Sequence, residues 1–292
     1  MTTAISSSSR ASIRAAQWLS YSWDSSHKDS PVLAHGALAL AEICTALNSD
    51  SVRLVETVIK DILAEDKLNF AATDLVTALV SAAAIIKADT SPAQSSLHVY
   101  LDLLGEIIPL SAKDANGLIA QMALEGVAPM EADASAPLME IDLSLLRSGR
   151  VEDTKRVLDR IEVETRFGTR AVRVRTPLPE LMEGAGIHAL SMYDLPLGMR
   201  CLRARCYLDG ESPLAIETGA DFLRLSQCSD GSFGDFEAAI RKMNRKYRQT
   251  EGELHIKLPV TFQSLWTLAE IEDHSFRLFR YVFGTRGLRS AH

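Results

Sequence analysis

The chain has 292 residues with a formal net charge of -7, and 47% of its residues are hydrophobic. This acidic balance argues against a nucleic-acid-binding protein, and the small numbers of glycine (16) and proline (10) argue against an all-β fold with its many turns. Since no apolar run reaches the ~20 residues of a membrane-spanning helix, we expect a cytoplasmic protein without a membrane span.

The N-terminal half of the chain predicts helices. Residues 1–10 are polar and predict a disordered tail. From there on, apolar residues recur at three- and four-residue steps, which is the period of an amphipathic helix. The segment 69–87 is apolar on nearly all sides, which predicts a buried helix. The segment GVAPMEADASAP (126–137) is the best candidate for a linker.

The second half of the chain also has a helical period, with two interruptions. The predicted helices are 137–148, 151–167, 178–192, 195–208, 212–228, 233–248, 258–271 and 273–285. Apolar and charged residues alternate instead in TRAVRVRTPLPE (169–180) and in ELHIKLP (253–259). Alternation is the period of a strand, so both segments predict short strands that can pair as one small β hairpin.

The spacing of the predicted helices indicates how they are arranged. About fourteen helices give one helix pair per roughly 40 residues, which is the spacing of stacked helical hairpins. Such hairpins form a closed α/α toroid or an open solenoid, and an irregular bundle is the third alternative. Because apolar helices alternate with more polar ones, we favour an all-α domain over residues 11–292, an α/α toroid of about six to seven hairpins.

The segment LRLSQCSDGSFGDF (Leu223–Phe236) contains the clearest local motif. Its pattern is apolar-x3-Gln-x3-Gly-x-aromatic, formed by Leu223, Gln227, Gly231 and Phe233. This resembles the QW repeat of the α/α toroids of terpene cyclases and protein prenyltransferase β-subunits. The resemblance implies an outer helix that ends at the Gln, a tight turn at Asp230-Gly231, and an aromatic ring that packs back on the outer helix.

The chain departs from that family at the positions of its chemistry. Phe233 stands where the repeat usually has tryptophan, and the sequence contains neither D-x-D-D nor D-D-x-x-D. The Asp, Cys and His set that holds zinc in the prenyltransferases is not recognisable either. Motifs for nucleotide or dinucleotide binding are also missing. We therefore expect no metal and no cofactor, and the resemblance implies the fold more than the activity.

A second cluster of interest lies in GIHALSMYDLPLG (Gly186–Gly198). Here His188, Tyr193 and Asp194 fall within seven positions, at the end of one predicted helix and before the next, where an acid or base could face a cavity. The structural alternatives are a helix cap for Asp194, a core histidine, and a packing ring. The segment resembles uncharacterised helical proteins from bacterial biosynthetic gene clusters.

Two arginines and a tryptophan are candidates for substrate binding. Arg200 and Arg203 are three positions apart on a predicted helix, so they can hold a phosphate or carboxylate together. The structural alternative is an ordinary exposed helix face. Trp266 lies on a predicted inner helix, where it faces either the cavity or the core.

These residues support two functional hypotheses. The first is an enzyme of bacterial specialised metabolism that cyclises or isomerises an apolar, isoprenoid-like small molecule by acid/base chemistry. Its catalytic residues would be His188, Tyr193 and Asp194, with Arg200, Arg203 and Trp266 binding the substrate. The second is a non-catalytic helical-repeat protein that binds a partner or serves as a scaffold.

Overall fold

The computed structural model describes residues 137–174, 177–208, 213–243, 249–272 and 277–283, together with ten single residues nearer the N-terminus. Those ten are Ala11, Arg14, Ala15, Gln17, Trp18, Leu118, Gln121, Met122, Gly126 and Val127. The predicted disordered tail and the predicted helices between residues 19 and 117, including the buried helix 69–87, lie outside the described residues. Most of the described residues are helical, which confirms the all-α fold class.

The described part of the chain contains eight helices and two short strands. In chain order they are β1 (Leu138–Met139), α1 (Ser144–Arg147), α2 (Val151–Glu164), β2 (Arg173–Val174), α3 (Leu178–Ser191), α4 (Leu195–Tyr207), α5 (Pro213–Leu225), α6 (Glu237–Met243), α7 (Gln249–Glu272) and α8 (Leu278–Phe283). None of these helices is both long and apolar enough to cross a lipid bilayer.

Helices α2 to α5 confirm the sequence predictions to within a few residues. Helix α2 ends earlier than predicted, because Arg166, Phe167 and Gly168 all adopt the left-handed conformation, with φ of 47°, 52° and 72°. Phe167 is only 3% exposed, and its ring centroid lies 4.7 Å from that of Phe279. Burial of this ring stabilises a turn that the backbone alone disfavours.

The predicted helix 137–148 and the predicted β hairpin are both wrong. Only Ser144–Arg147 of that segment is helical, and Leu138–Met139 is a strand instead. Leu138–Met139 pairs in parallel with Arg173–Val174. The segment 169–180 therefore contains a strand as expected, but its partner is not the segment 253–259. A two-residue strand is too short to show a period in the sequence.

The predicted strand ELHIKLP is helical and belongs to α7, which continues through Pro259. The helical conformation brings Lys257 one turn after Glu253, and their charged groups lie 2.7 Å apart. The same ammonium lies 3.1 Å from Asp230. Burial alone would lower the pKa of Lys257, but the two carboxylates raise it above its usual value. These contacts favour the helix over the extended conformation that alternation suggested.

The chain divides into two compact units, one of Met1–Ile107 with Leu223–Trp266 and one of Ile108–Phe222 with Thr267–His292. The core of each unit contains large apolar side chains that are at most 7% exposed, and burying each contributes roughly 2–3 kcal/mol. In the first unit these include Trp18, Leu223, Phe233, Phe262 and Leu265, and in the second unit Leu158, Ile161, Met182, Leu195, Met199, Leu202 and Phe279.

Helices α3 and α4 form a closely packed antiparallel hairpin in the second unit. A Cβ atom added at Gly186 would lie 3.1 Å from the Cβ of Cys201, and one added at Gly198 would lie 2.5 Å from the side chain of Leu190. The two glycines therefore allow the helix backbones to approach each other. This close approach fixes the geometry of the turn between them.

The QW-like segment forms a tight turn in the first unit, as the motif predicted. Gly231 has a φ of 102°, and the amide of Cys228 donates a hydrogen bond to the carbonyl of Ser232 (2.8 Å). Gln227 connects this turn to the N-terminal helical residues. Its Nε2 donates to the carbonyls of Gly231 (3.0 Å) and Ala11 (2.8 Å).

Candidate functional site

The three residues predicted to act in acid/base chemistry lie in the last turn of α3 and in the connection to α4. We call this segment, His188–Asp194, the α3–α4 corner. The amide of Tyr193 donates a hydrogen bond to the carbonyl of Leu190, and the amide of Asp194 donates to the carbonyl of Ala189, both at 2.9 Å. These two bonds form the Schellman motif, which ends a helix with one residue in the left-handed conformation.

That left-handed residue is Tyr193, whose φ is 60°. Glycine is the usual residue at this position, because a Cβ atom makes the conformation unfavourable by about 1–2 kcal/mol. The tyrosine side chain is 38% exposed and meets the ring of Phe222 edge-on, with 6.3 Å between the ring centroids. Met192 (70% exposed), which precedes it in the chain, and Ile187 (43%), in α3, are also exposed large apolar residues. The corner thus presents apolar side chains to solvent.

The two other predicted catalytic residues have different positions in the corner. The carboxylate of Asp194 accepts a hydrogen bond from the amide of Leu197 (3.2 Å), so Asp194 is the N-cap of α4, as the structural alternative predicted. His188 is exposed, so the core-histidine alternative is wrong. Asp194 therefore stabilises the start of α4, whereas His188 and Tyr193 are exposed to solvent.

The conformation of Tyr193 leads to a stability prediction. Tyr193→Gly and Tyr193→Ala both remove the ring, but only alanine keeps a Cβ atom in the left-handed conformation. We expect the glycine variant to be more stable than the alanine variant by about 1 kcal/mol, the reverse of their order inside a helix. Urea unfolding followed by circular dichroism measures the difference. An alanine variant at least as stable as the glycine variant would show that this backbone geometry is wrong.

Arg200 is engaged by carboxylates of α2. Its Nε and Nη2 donate to the two carboxylate oxygens of Glu162 at 3.0 and 2.6 Å, and Nη2 also donates to Asp159 at 2.7 Å. Burial alone would lower the pKa of Arg200, but these hydrogen bonds and charges raise it above its usual value. The guanidinium therefore joins two helices and has two anionic partners within the chain.

Arg203 and Trp266 are both buried. The guanidinium of Arg203, a residue only 2% exposed, donates to the hydroxyl of Thr267 at 2.6 Å. Arg200 and Arg203 thus contact different helices, α2 and α7, rather than forming one exposed pair. Trp266 belongs to the other unit, where it is 4% exposed and packs against Phe262 with 6.2 Å between the ring centroids.

The structure also brings together a buried polar pair that sequence reasoning missed. The hydroxyl of Tyr207 donates to the carboxylate of Glu270 at 2.8 Å, and the other oxygen of that carboxylate accepts from the amide of Leu278 at 3.0 Å. Glu270 is fully buried and Tyr207 is 5% exposed. The two residues are 63 positions apart, so no local spacing could have indicated the pair.

This pair gives a pH-dependent prediction. Burial, together with the nearby Glu270 carboxylate, raises the pKa of Tyr207 well above its usual value of 10. Above pH 10 the phenol stays neutral in the folded protein but ionises in the unfolded chain. The contribution of the Tyr207 hydroxyl to the free energy of unfolding is therefore complete below pH 10 and decreases above it. We expect Tyr207→Phe to cost about 1–3 kcal/mol at pH 7. The difference in free energy of unfolding between Tyr207→Phe and wild type should narrow by about 1.4 kcal/mol per pH unit above pH 10. Urea unfolding across this pH range tests it, and a constant difference would contradict it.

The thiols of α4 give a further prediction. Burial raises the pKa of Cys201 to about 12 and that of Cys206 to about 11. Since the thiolate is the reactive form, we expect iodoacetamide at pH 8 to modify both at least about a hundredfold more slowly in the folded protein than in urea. Peptide mass spectrometry measures the rate of modification at each cysteine, and the half-buried Cys228 is the internal comparison for Cys201 and Cys206. Rapid modification of Cys201 in the folded state would contradict its placement.

Within the part of the chain that the structure describes, no three His, Cys, Asp or Glu side chains are arranged to hold a metal ion. Comparison of the chain with protein-family models, with curated proteins and with solved structures gives no match. The resemblance to QW-repeat toroids therefore stays a prediction from the sequence, and the function is argued from the residues alone.

Proposed function

We propose that the protein is a non-catalytic helical binding protein whose α3–α4 corner docks onto a partner protein. The observation that carries this proposal is Tyr193. A tyrosine occupies a left-handed position where glycine would be less strained, and its ring is partly exposed. Local strain of this kind clusters at functional positions, where the side chain has a task that the backbone alone does not require.

The surroundings of Tyr193 support binding rather than catalysis. Met192 and Ile187 add exposed apolar surface, which is the chemistry of a protein interface. The charged residues predicted to act on a substrate have partners within the chain: Asp194 caps α4, and Arg200 binds Glu162. A docking surface requires none of them as a free acid, base or anion anchor.

We propose further that the α3–α4 hairpin is one of about six to seven hairpins in a closed α/α toroid. The antiparallel packing of α3 on α4 and the tight turn at Gly231 support this arrangement. Small-angle X-ray scattering tests it, because a compact chain of this length has a radius of gyration of about 19 Å. A value several ångströms larger would favour the open solenoid.

The docking proposal is tested by photo-crosslinking from the corner. Met192 is replaced by benzoylphenylalanine, and Val151, which is 45% exposed on α2, carries the same group in a control variant. In an extract of the source cells, we expect a discrete crosslinked protein from position 192 and none from position 151. The crosslink should disappear when Tyr193→Ala is added. Equal labelling from both positions, or no adduct from either, would contradict the proposal.

The competing proposal is the enzyme predicted from the sequence, which acts on an apolar isoprenoid-like molecule through His188, Tyr193 and Asp194. It predicts that a prenyl diphosphate or terpenoid acid raises the melting temperature, since a ligand that binds the folded state stabilises it. The binding protein predicts no such shift. A shift that is lost in His188→Ala would favour the enzyme.

A further inference from the structure

The turn that follows α2, residues 165–170, combines strain with exposed positive charge, and we call it the α2 turn. Its residues 166–168 are all left-handed. Burial accounts for the conformation of Phe167, but Arg166 is exposed and gains nothing of that kind. The hydroxyl of Thr169 donates to the carbonyl of Arg166 at 2.7 Å and holds the turn closed. Strain at an exposed side chain is typical of functional positions.

Three arginines lie at the α2 turn. Arg166 and Arg170 are exposed, and in the part of the chain that the structure describes neither side chain forms a hydrogen bond or an ion pair. Arg280, from α8, is half-buried, and its Nη2 donates to the carbonyl of Thr169 at 3.0 Å. That carbonyl belongs to the residue before Arg170, so α8 brings a third arginine to the turn.

The environment of Arg280 does not compensate its charge. Among the residues that the structure describes, its buried Nε has no hydrogen-bond partner. A Cβ atom added at Gly168 would lie 2.7 Å from the Nε of Arg277, so a second guanidinium lies against the same turn. Burial and the positive charge of Arg277 lower the pKa of Arg280. A bound anion would offset the repulsion between these two cations.

The segments that form this cluster contain no carboxylate side chain. Residues 165–174 and 277–283 contain five arginines and neither aspartate nor glutamate. The described carboxylates on the adjoining segments all have contacts of their own within the chain: Glu140, Glu162, Glu164, Glu270 and Glu272. Arg173 and Arg277 also have other contacts. The charge left for a ligand is therefore that of Arg166, Arg170 and Arg280.

We infer that the α2 turn binds a phosphate monoester group through Arg166, Arg170 and Arg280. The planar fork of arginine matches phosphate and carboxylate oxygens. A phosphate group carries about -1.5 to -2 charges near pH 7, so one group compensates about two arginines, whereas a carboxylate compensates one. The sequence placed an anion site at Arg200 and Arg203 instead, but those two have partners within the chain. This inference is independent of the docking function.

The experiment measures the melting temperature of the full-length protein in inorganic phosphate and in sodium chloride of the same ionic strength and pH. At about 10 mM phosphate we expect an increase of about 2 °C or more over chloride, because an anion that binds only the folded state stabilises it. Equal melting temperatures in the two salts would overturn the inference.

Two phosphate esters distinguish the source of the group by isothermal titration calorimetry. Tighter binding of glucose 6-phosphate than of a phosphoserine peptide indicates a small molecule, and the reverse order indicates a phosphorylated protein. Either order supports phosphate recognition. A tetraglutamate peptide that binds as tightly as both esters would show that the turn attracts any negative charge, which overturns the inference.

Neutralising variants localise the site. Arg166→Gln with Arg170→Gln is expected to weaken phosphate binding at least about tenfold. The control is Arg147→Gln with Arg150→Gln, the same change in net charge at two exposed arginines that have Asp142, Glu152 and Asp153 nearby in sequence. We expect the control to change the affinity less than about twofold. Equal weakening in both double variants, or unchanged affinity in the first, would contradict the site.

Arg280→Lys tests the contribution of α8. Lysine keeps the positive charge but lacks the fork that contacts two phosphate oxygens together, so we expect phosphate to bind at least about fivefold more weakly. Circular dichroism in chloride checks that the variant is folded. If the folded variant binds phosphate as tightly as wild type, Arg280 does not contact the ligand and the three-arginine site is wrong.

Discussion

Replacing Gly231 with alanine is expected to lower the free energy of unfolding by about 3 kcal/mol or more. The φ of Gly231 is 102°, a conformation that disfavours any residue with a Cβ atom. The added Cβ would also collide with the carbonyl oxygen of Arg14. That backbone cannot simply move away, because the Arg14 guanidinium donates to the carbonyls of Cys228 (2.7 Å) and Ser229 (3.0 Å) in the same turn.

Gly149→Ala is the matched control for this prediction. Gly149 also has a positive φ, 66°, but no atom lies within 4 Å of the position its Cβ would take. We therefore expect only the conformational cost of about 1 kcal/mol. Urea unfolding gives both values. If the two variants lose the same stability, the N-terminal helical residues do not pack on the QW-like turn as described.

Replacing Arg200 with methionine is expected to cost about 3 kcal/mol. The guanidinium side chain is 23% exposed, and the Glu162 side chain that it binds is only 6% exposed. Removing one partner of a buried ion pair leaves the other charge without compensation, which costs about 3–5 kcal/mol. Asp159 is 55% exposed and can be hydrated instead, which places the expected cost at the lower end of that range.

Two control variants separate burial from charge. Arg241→Met breaks a pair with Glu237 in which both side chains are 74% exposed, so we expect at most about 0.5 kcal/mol. Adding Glu162→Leu to Arg200→Met removes the uncompensated carboxylate and should recover much of the lost stability. Chemical denaturation measures all three. A cost of Arg200→Met no larger than that of Arg241→Met would contradict the buried pair.

The helices were predictable where local signals agree with the packing. Helix α4 shows this: Asp194 can cap it and Pro196 fits its first turn, and the helix begins between them as expected. The strand prediction for ELHIKLP was wrong because Leu254 and Leu258 fit both one face of a strand and one face of a helix. The contact that stabilises the helix, between Lys257 and Asp230, spans 27 positions and leaves no local pattern.

The candidate site was predictable only as a cluster. Proximity along the chain placed His188, Tyr193 and Asp194 together, and they lie in the last turn of α3 and the connection to α4. The left-handed conformation of Tyr193 could not be predicted, because tyrosine has no preference for it. The partners of Arg200 were missed for a different reason: Glu162 is 38 positions away, and a single sequence does not reveal which helices pack together.

The central claim, that Tyr193 serves binding rather than stability, is tested most directly by measuring crosslinking and unfolding on the same two variants. Tyr193→Gly and Tyr193→Ala are each combined with benzoylphenylalanine at position 192. We expect both to lose the crosslinked partner, although the glycine variant is more stable than the alanine variant by about 1 kcal/mol. Crosslinking that persists in either variant, or that follows their stability, would contradict the claim.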